Sequence, residues 1–264
     1  MDGKVLTIAG SDSSGGAGIQ ADIKTISTLG SYAMSAITAI TVQDTNMVSE
    51  VFPVPAQIVK SQILSVFGDI GADAVKTGML MSPDIIIGVS EALSDHGKGI
   101  PLIVDPVMMS TSGHMLLKPH SVNALVREIL PKTTLLTPNL AEASKLTGTE
   151  LLKNMDDMRR AADDLLKMGP DAVLIKGGHL KGDILTDILV MQNSEKIFSS
   201  LRVPGKDNHG TGCTLASAIA AGLAQKMPLE EAVARAHKYV HMALEQAPGY
   251  GSGCGPINHL VDIK

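Results

Sequence analysis

Aromatic residues are scarce. The 264-residue chain has three Phe, three Tyr and no Trp, 2% in all, which leaves little to stack on nucleic-acid bases. No basic run stands out either. Lys and Arg number 22 against 27 Asp and Glu, a formal charge of -5, so the electrostatic footprint of a nucleic-acid binder is missing. Cysteine occurs only at Cys213 and Cys254, too few and too far apart for a disulfide framework. No apolar run reaches the roughly 18 residues of a membrane helix. The opening MDGKVLTIAG enters a strand-like run at once, without the basic segment and apolar core of a signal peptide. These absences lead us to expect a protein of the reducing cytoplasm, with no nucleic-acid and no membrane partner.

What is present is a rhythm. At 44% hydrophobic residues the chain can bury a large core. KVLTIAG (4–10), SAITAITVQ (35–43), DAVKTG (73–78), PLIVDP (101–106), TLLTPN (134–139) and AVLIKGG (172–178) read as short apolar strands. Near-uniform apolar runs such as PLIVDP suit burial on both faces, as in a parallel sheet. Between them lie segments of helical period. IQADIKTISTLG (19–30) places Ile19, Ile23, Ile26 and Leu29 on one face, and PAQIVKSQILSVFGDI (55–70) places Ile58, Ile63, Val66 and Phe67 on another. SPDIIIGVSEALSDHG (82–97) starts on a Ser cap followed by Pro and stops on Gly97. A further helix is expected near 154–168, and two more at 212–225 and 228–247. The alternating stretch 182–203 predicts an antiparallel hairpin at a sheet edge. Repeated strand–helix–strand units predict a doubly wound α/β fold, and no linker or repeat divides residues 1–264, so one domain is expected. Ligands bind such sheets at the carboxyl ends of the strands.

Five motifs sit at those ends. AGSDSSGGAG (9–18) offers several free amides for an anion, or is a plain flexible turn. It lacks the Gly-Lys-Ser/Thr of a Walker A loop. Asp105, in DPVM (105–108), needs a counter-charge or water, which Mg²⁺ or a helix N-terminus would supply. Asn139 and Glu142, in TPNLAE (137–142), share a helix face at a spacing that fits either Mg²⁺ through water or an N-terminal capping box. Lys176, in KGGH (176–179), could meet a phosphate or be a solvated strand end. In NHGTGC (208–213) the amides of Gly210, Thr211, Gly212 and Cys213 can converge on an anion at a helix N-terminus. A thiol there is expected to have a lowered pKa and to serve as base or nucleophile, the alternative being a small packing residue. His209 could pair with that thiol or bind a phosphate.

In order along the chain, AGSDSSGGAGIQADIKT, TAITVQ, KTGML, DPVM, TPNLAEA, KGGH and NHGTGCTLASAIA resemble the ribokinase-like small-molecule kinases. Within them the resemblance is greatest to the hydroxymethylpyrimidine/phosphomethylpyrimidine kinases of thiamine biosynthesis. It spans residues 4 to 260. It implies a three-layer α-β-α sandwich with a central mostly parallel sheet and no separate lid domain, commonly a homodimer. It also implies ATP-dependent phosphorylation of 4-amino-5-hydroxymethyl-2-methylpyrimidine and then of its monophosphate, with Mg²⁺. Sugar kinases of the superfamily often carry Asp after the glycines as base; this branch carries Cys, as at Cys213. By the same resemblance Gln43 would bind the aminopyrimidine, with Gly10, Asp22, Met79 and Val107 lining its pocket. Asp105 and Glu142 would organise Mg²⁺, Lys176 and Thr211 would contact the ATP phosphates, and Asn139 would support that side. Asp207 stands where the family has a neutral polar residue, and Cys254 has no implied role. Pyridoxal kinase shares the fold and chemistry. A hydroxyethylthiazole kinase lacks the GSDSSGGAG opening. A dinucleotide-dependent oxidoreductase would need a G-x-G-x-x-G turn, which is missing. A non-catalytic binding protein would be expected to have lost Cys213, Asp105 or Lys176.

Overall fold

A computed structural model of the chain describes residues 1–262 apart from 111–112, 114, 118, 179–181 and 206; His179 of the KGGH run thus lies outside the described residues. Nine strands form one sheet. In chain order they are β1 (Lys4–Asp12), β2 (Tyr32–Gln43), β3 (Val48–Pro53), β4 (Ala74–Thr77), β5 (Leu102–Val104), β6 (Leu135–Leu136), β7 (Ala172–Ile175), β8 (Ile184–Met191) and β9 (Ser194–Leu201). Their spatial order is β3-β2-β1-β4-β5-β6-β7-β8-β9. The six strands from β2 to β7 pair in parallel. Both edges are antiparallel, β3 on β2 and the β8–β9 hairpin on β7.

The central strands are apolar runs because helices cover both their faces. Every residue of β4, β5 and β7 is buried. One face carries α2 (Ala56–Asp69), α3 (Pro83–His96), α4 (Pro119–Glu128), α5 (Leu140–Thr147) and α6 (Met155–Leu166). The other carries α1 (Gly18–Thr28), α7 (Thr211–Ala224) and α8 (Leu229–Glu245). This is the three-layer ribokinase-like arrangement expected from the sequence. No helix among the described residues is long and apolar enough to cross a membrane.

Local signals explain most boundaries. The Ser82 hydroxyl accepts from the Ile85 N–H at 3.3 Å, Pro83 opens α3 and Gly97 caps it, as the sequence suggested. Two stripes differ from expectation. In α1, Ile23 is 37% exposed and Asp22 is fully buried, because a lysine from β4 waits beneath it. In α2 the inward pair is Val59 and Ile63, one turn apart, while Ile58 is 52% exposed. Strand β3 carries no such signal. Only Val48 of its six residues is buried, so it has neither an apolar run nor a clean alternation. Helix α7 is small and apolar, and every residue from Thr214 to Ala224 is buried. It lies in the middle of its layer, with its N-terminus at the carboxyl edge of the sheet.

The ladder continues past the formal strand ends. Gly78 N–H donates to Ile8 O at 2.9 Å, Asp105 N–H to Thr77 O at 3.0 Å, Thr137 N–H to Val104 O at 2.9 Å and Lys176 N–H to Pro138 O at 2.9 Å. Gly10, Gln43, Met79, Asp105, Asn139 and Lys176 therefore stand along one edge.

Candidate active site

Three groups of side chains share this edge. The first is Asp105 with Lys176. Their side chains meet at 2.9 Å, with Asp105 3% and Lys176 15% exposed. Burial works against the Lys176 charge, but Asp105 and Glu142 more than compensate and hold its pKa above the usual value. Gly212 of α7 sits directly over this pair. A Cβ there would stand 3.1 Å from Lys176 Nζ and 3.7 Å from Asp105 Oδ2, so the glycine lets the helix approach the ion pair closely and a side chain would press on the lysine. Gly210 precedes α7 at φ +84°, a left-handed conformation that favours glycine. A Cβ there would also collide with the Gly16 carbonyl oxygen. The GTG turn is thus pressed onto the Ser-Gly-rich turn after β1. The first amides of α7 have no acceptor inside the helix and carry the positive end of its dipole.

Asn139 and Glu142 form the capping box of α5. Asn139 Oδ1 accepts from Glu142 N–H at 2.9 Å, and Glu142 Oε2 accepts from Asn139 N–H at 2.8 Å. Glu142 is 6% exposed. Burial pushes its pKa up to about 7, with Asp105 also raising it and Lys176 and the Asn139 and Met108 amides lowering it. Two carboxylates thus lean on one lysine. Glu142 has a consequence for stability. An unfolded Glu releases its proton near 4.5 and this one near 7, so the fold holds the extra proton in between and loses stability as pH climbs through that window. Glu142→Gln keeps the cap, because glutamine serves at that position too. It is expected to melt above the parent at pH 8 and level with it near pH 4. Thermal melts at the two pH values check this, and an equal offset at both would sink it.

The second group is buried behind the site. Asp22 and Lys76 are both fully buried, with Lys76 Nζ 2.9 Å from each Asp22 oxygen. Asp22 also accepts from Thr7 Oγ1 at 2.5 Å and from Ser217 Oγ at 2.7 Å. The Asp22 side chain is thus fully engaged by Lys76 and two hydroxyls. It anchors Lys76 beneath α7, within electrostatic reach of Cys213.

Cys213 is partly buried in the first turn of α7, and the Gly18 amide at the start of α1 donates to its sulfur. Two helix N-termini thus meet at the thiol. The expectation of a lowered pKa nevertheless fails. The thiol is pushed up to about 12, first by burial, with Asp105 and Asp22 adding to it and Lys76 and the Gly18 amide opposing. Burial and two carboxylates outweigh Lys76 and the Gly18 amide, so the free chain carries a protonated thiol.

The third group is Asp12, His209 and Gln43. Asp12 closes β1 and is 3% exposed. Its Oδ1 accepts from Ser14 N–H at 2.8 Å and Ser14 Oγ at 2.7 Å; its Oδ2 accepts from Ala17 N–H at 2.8 Å and stands 2.8 Å from His209 Nε2. Burial works against the Asp12 charge, but His209 and Ser14 hold its pKa below the usual value. His209 therefore pairs with Asp12. Gln43, half-buried at the end of β2, has its amide 3.3 Å from His209 Nε2 and 3.2 Å from Thr41 Oγ1.

Residues 12–258 match the family model described as phosphomethylpyrimidine kinase. The chain belongs to the phosphomethylpyrimidine kinase family. A hydroxymethylpyrimidine/phosphomethylpyrimidine kinase of Rhizobium meliloti strain 1021 is 46% identical over 262 residues, 98% of each chain. The structure of a phosphomethylpyrimidine kinase from Clostridium difficile 630 is 46% identical at a TM-score of 0.81, covering 91% of this chain and 99% of that one. A Staphylococcus aureus pyridoxal kinase in complex with AMP-PCP and pyridoxal superposes at a TM-score of 0.90 with 37% identity, covering 98% and 94%. The chain is thus a phosphotransferase of ribokinase-like fold.

Within this phosphomethylpyrimidine kinase fold, the remaining expected residues fall as follows. The Met79 methyl covers Gly10, where a Cβ would collide with it. Val107 is half-buried, its N–H donating to Asp105 O at 2.8 Å. Thr211 Oγ1 donates to Asn208 O at 3.1 Å at the mouth of α7. Asp207 is half-buried, and its Oδ1 has no hydrogen-bond partner among the described residues. Cys254 Sγ lies 2.7 Å from Asn208 Oδ1. Among the described residues no group of three or more metal-ligating side chains occurs, so Asp105 and Glu142 stand as a pair. The sequence reading gave no role to Lys76 or Asp12. The only signal for either was its place inside a quoted motif, KTGML or GSDSSGGAG.

Proposed function

We propose that this chain transfers the γ-phosphoryl group of ATP to the hydroxymethyl of 4-amino-5-hydroxymethyl-2-methylpyrimidine, then to the monophosphate, in thiamine biosynthesis. The observation that carries it is the meeting of the α7 N-terminus, the Asp105–Lys176 pair and Cys213 on the edge that also holds Gln43. Such transfers need positioning and electrostatic stabilisation more than covalent chemistry. The amides of 210–213 face the developing phosphoryl charge. Lys176 and Thr211 contact donor phosphates, and Asn139 supports that side. Gln43 offers an acceptor beside a donor, matching an amine beside a ring nitrogen. Gly10, Met79 and Val107 supply flat, mostly apolar walls.

The donor set fits Mg²⁺. Two buried carboxylates share one lysine, and Mg²⁺ keeps several waters while using one or two carboxylates plus phosphates. Asp105 and Glu142 would hold the ion there, and it would supply charge neutralisation for the phosphates. With Asp105 so engaged, one of the two carboxylates that raise the Cys213 pKa would be silent, and Lys76 and the Gly18 amide would favour the thiolate. Cys213 takes the hydroxyl proton as the substrate oxygen bonds the γ-phosphorus and the bond from that phosphorus to the β,γ-bridging oxygen breaks, releasing ADP. Residues 1–264 act as a single domain, in a cytoplasmic homodimer; the free cysteines fit a reducing compartment.

A coupled ATP assay with Mg²⁺ tests this, with the hydroxymethylpyrimidine, its monophosphate and pyridoxal side by side. Turnover of both pyrimidines well above pyridoxal is expected. Turnover of pyridoxal alone would move the function to that substrate, and no turnover of any would overturn the kinase reading.

A further inference from the structure

Which end of the Gln43 amide faces which neighbour is decided by protons. Oxygen and nitrogen of a side-chain amide are alike in shape, so the surrounding donors and acceptors fix them. Asp12 Oδ1 accepts twice from Ser14, Oδ2 accepts from the Ala17 backbone N–H, and the carboxyl pKa is held below its usual value. Asp12 has no proton to offer His209, so the proton of the 2.8 Å contact sits on His209 Nε2. That same Nε2 faces Gln43 at 3.3 Å. With the amide nitrogen toward it, two donors would oppose each other. The other end has the mirror problem. Thr41 Oγ1 has one proton, directed to Ser11 O at 2.9 Å, so toward Gln43 at 3.2 Å it can only accept. An amide oxygen there would set two acceptors together. Turning the amide by half a revolution satisfies both ends at once. Oε1 then takes the longer, 3.3 Å branch of the single His209 Nε2 proton, whose 2.8 Å branch goes to Asp12, and Nε2 donates to Thr41.

We propose that Asp12, His209 and Thr41 are positioning residues that lock the Gln43 amide with its oxygen toward His209, and so set the direction in which a donor–acceptor substrate edge is read. This rests on Gln43 being the group that reads the substrate. One lone pair of Oε1 and one N–H of Nε2 remain, in fixed order. A 4-aminopyrimidine presents an amine donor beside a ring-nitrogen acceptor, and only one in-plane direction of the ring matches. The hydroxymethyl is next to the amine, so the same choice fixes the side on which the reacting oxygen emerges. Asp12 sits three hydrogen bonds from the substrate, through His209 and Gln43, and acts only through them. Its work is to keep the His209 proton on Nε2.

The test is a reversed ligand. The 4-oxo analogue, 5-hydroxymethyl-2-methylpyrimidin-4-one, presents a carbonyl acceptor beside an N3–H donor. A site locked in one order should turn over the amine in preference to the oxo compound by roughly 10²-fold or more in kcat/KM, since unmatched buried polar groups discriminate strongly. His209→Leu keeps an apolar side chain against Gly16 and removes the donor. Thr41→Val removes the acceptor while keeping the shape. Both release the amide and should bring the ratio to within about tenfold of unity, chiefly by gain on the oxo compound. A structural role alone would lower both substrates together. Folded variants that keep the parent ratio overturn the proposal. So does ¹⁵N NMR of the parent if His209 Nε2 carries no proton, a reading that needs no variant. Gln43→Ala separates the two levels. If it leaves the amine-over-oxo ratio at the parent value, Gln43 is not the reading group, and the assignment beneath the proposal fails.

Discussion

Cys213→Ala is expected to lower kcat for the hydroxymethylpyrimidine by about 10²-fold or more, the usual range for loss of a general base, and to leave the second transfer within a few-fold of the parent. The asymmetry follows from the acceptors. The first transfer starts from a neutral hydroxyl whose proton must go somewhere. The second starts from a phosphate oxygen that is already ionised near neutral pH, so it needs the amides of α7 but no base. Packing should hardly register the change, since Cys213 is only partly buried and sits in a turn rich in small residues. Rates for both acceptors, measured on one preparation, check this. Equal losses on both would remove the thiol as base and leave it a packing or cradle residue. The raised pKa adds a second reading. At about 12 the thiol of the free chain should resist iodoacetamide at pH 7.5.

Lys76→Met should cost about 3–5 kcal/mol of stability, the range for removing one partner of a buried ion pair, and lower Tm by roughly 10 °C. Lys76 has no exposed surface, and its loss strands a carboxylate that keeps only the Thr7 and Ser217 hydroxyls. Adding Asp22→Asn removes the stranded charge and keeps a side chain that can hold those hydroxyls, so much of the loss should return. Thermal or denaturant melts of the single and double variants measure the coupling. Simple additivity would show that the pair does not act as a unit. Activity should fall further than Tm predicts, because the Lys76 charge also opposes the high pKa of Cys213.

Much of this was legible in the sequence, and what was hidden has a physical reason. The parallel strands announced themselves because burial on both faces demands apolar runs, as in AVLI of β7. The edge hairpin showed as alternation in 182–203. Strand β3 was silent because an edge strand with one buried residue has no pattern to show. The stripe on α1 misled at Ile23, since periodicity cannot know that Lys76, 54 residues on from Asp22, makes burial of a carboxylate favourable there. His209 and Asp12 lie 197 residues apart, and only the fold makes them neighbours. The Asn139–Glu142 capping box was one of two readings the spacing allowed, and its geometry is present. The raised pKa of Cys213 is hidden from the sequence for a different reason. Its helix position is local and readable, whereas the burial and the carboxylates that overrule it are not.

Helix α7 is enclosed on all sides from Thr214 to Ala224, and that has a consequence in time. Amides in such an element cannot reach solvent through fraying or small local openings, so their hydrogens exchange with deuterium only when the whole molecule opens. The edge strand β3, by contrast, should exchange early. The Gly210–Gly212 turn is thereby mounted on the segment that lets go last. A chain loosened at its periphery by heat or mild denaturant should keep that turn until the cooperative transition itself.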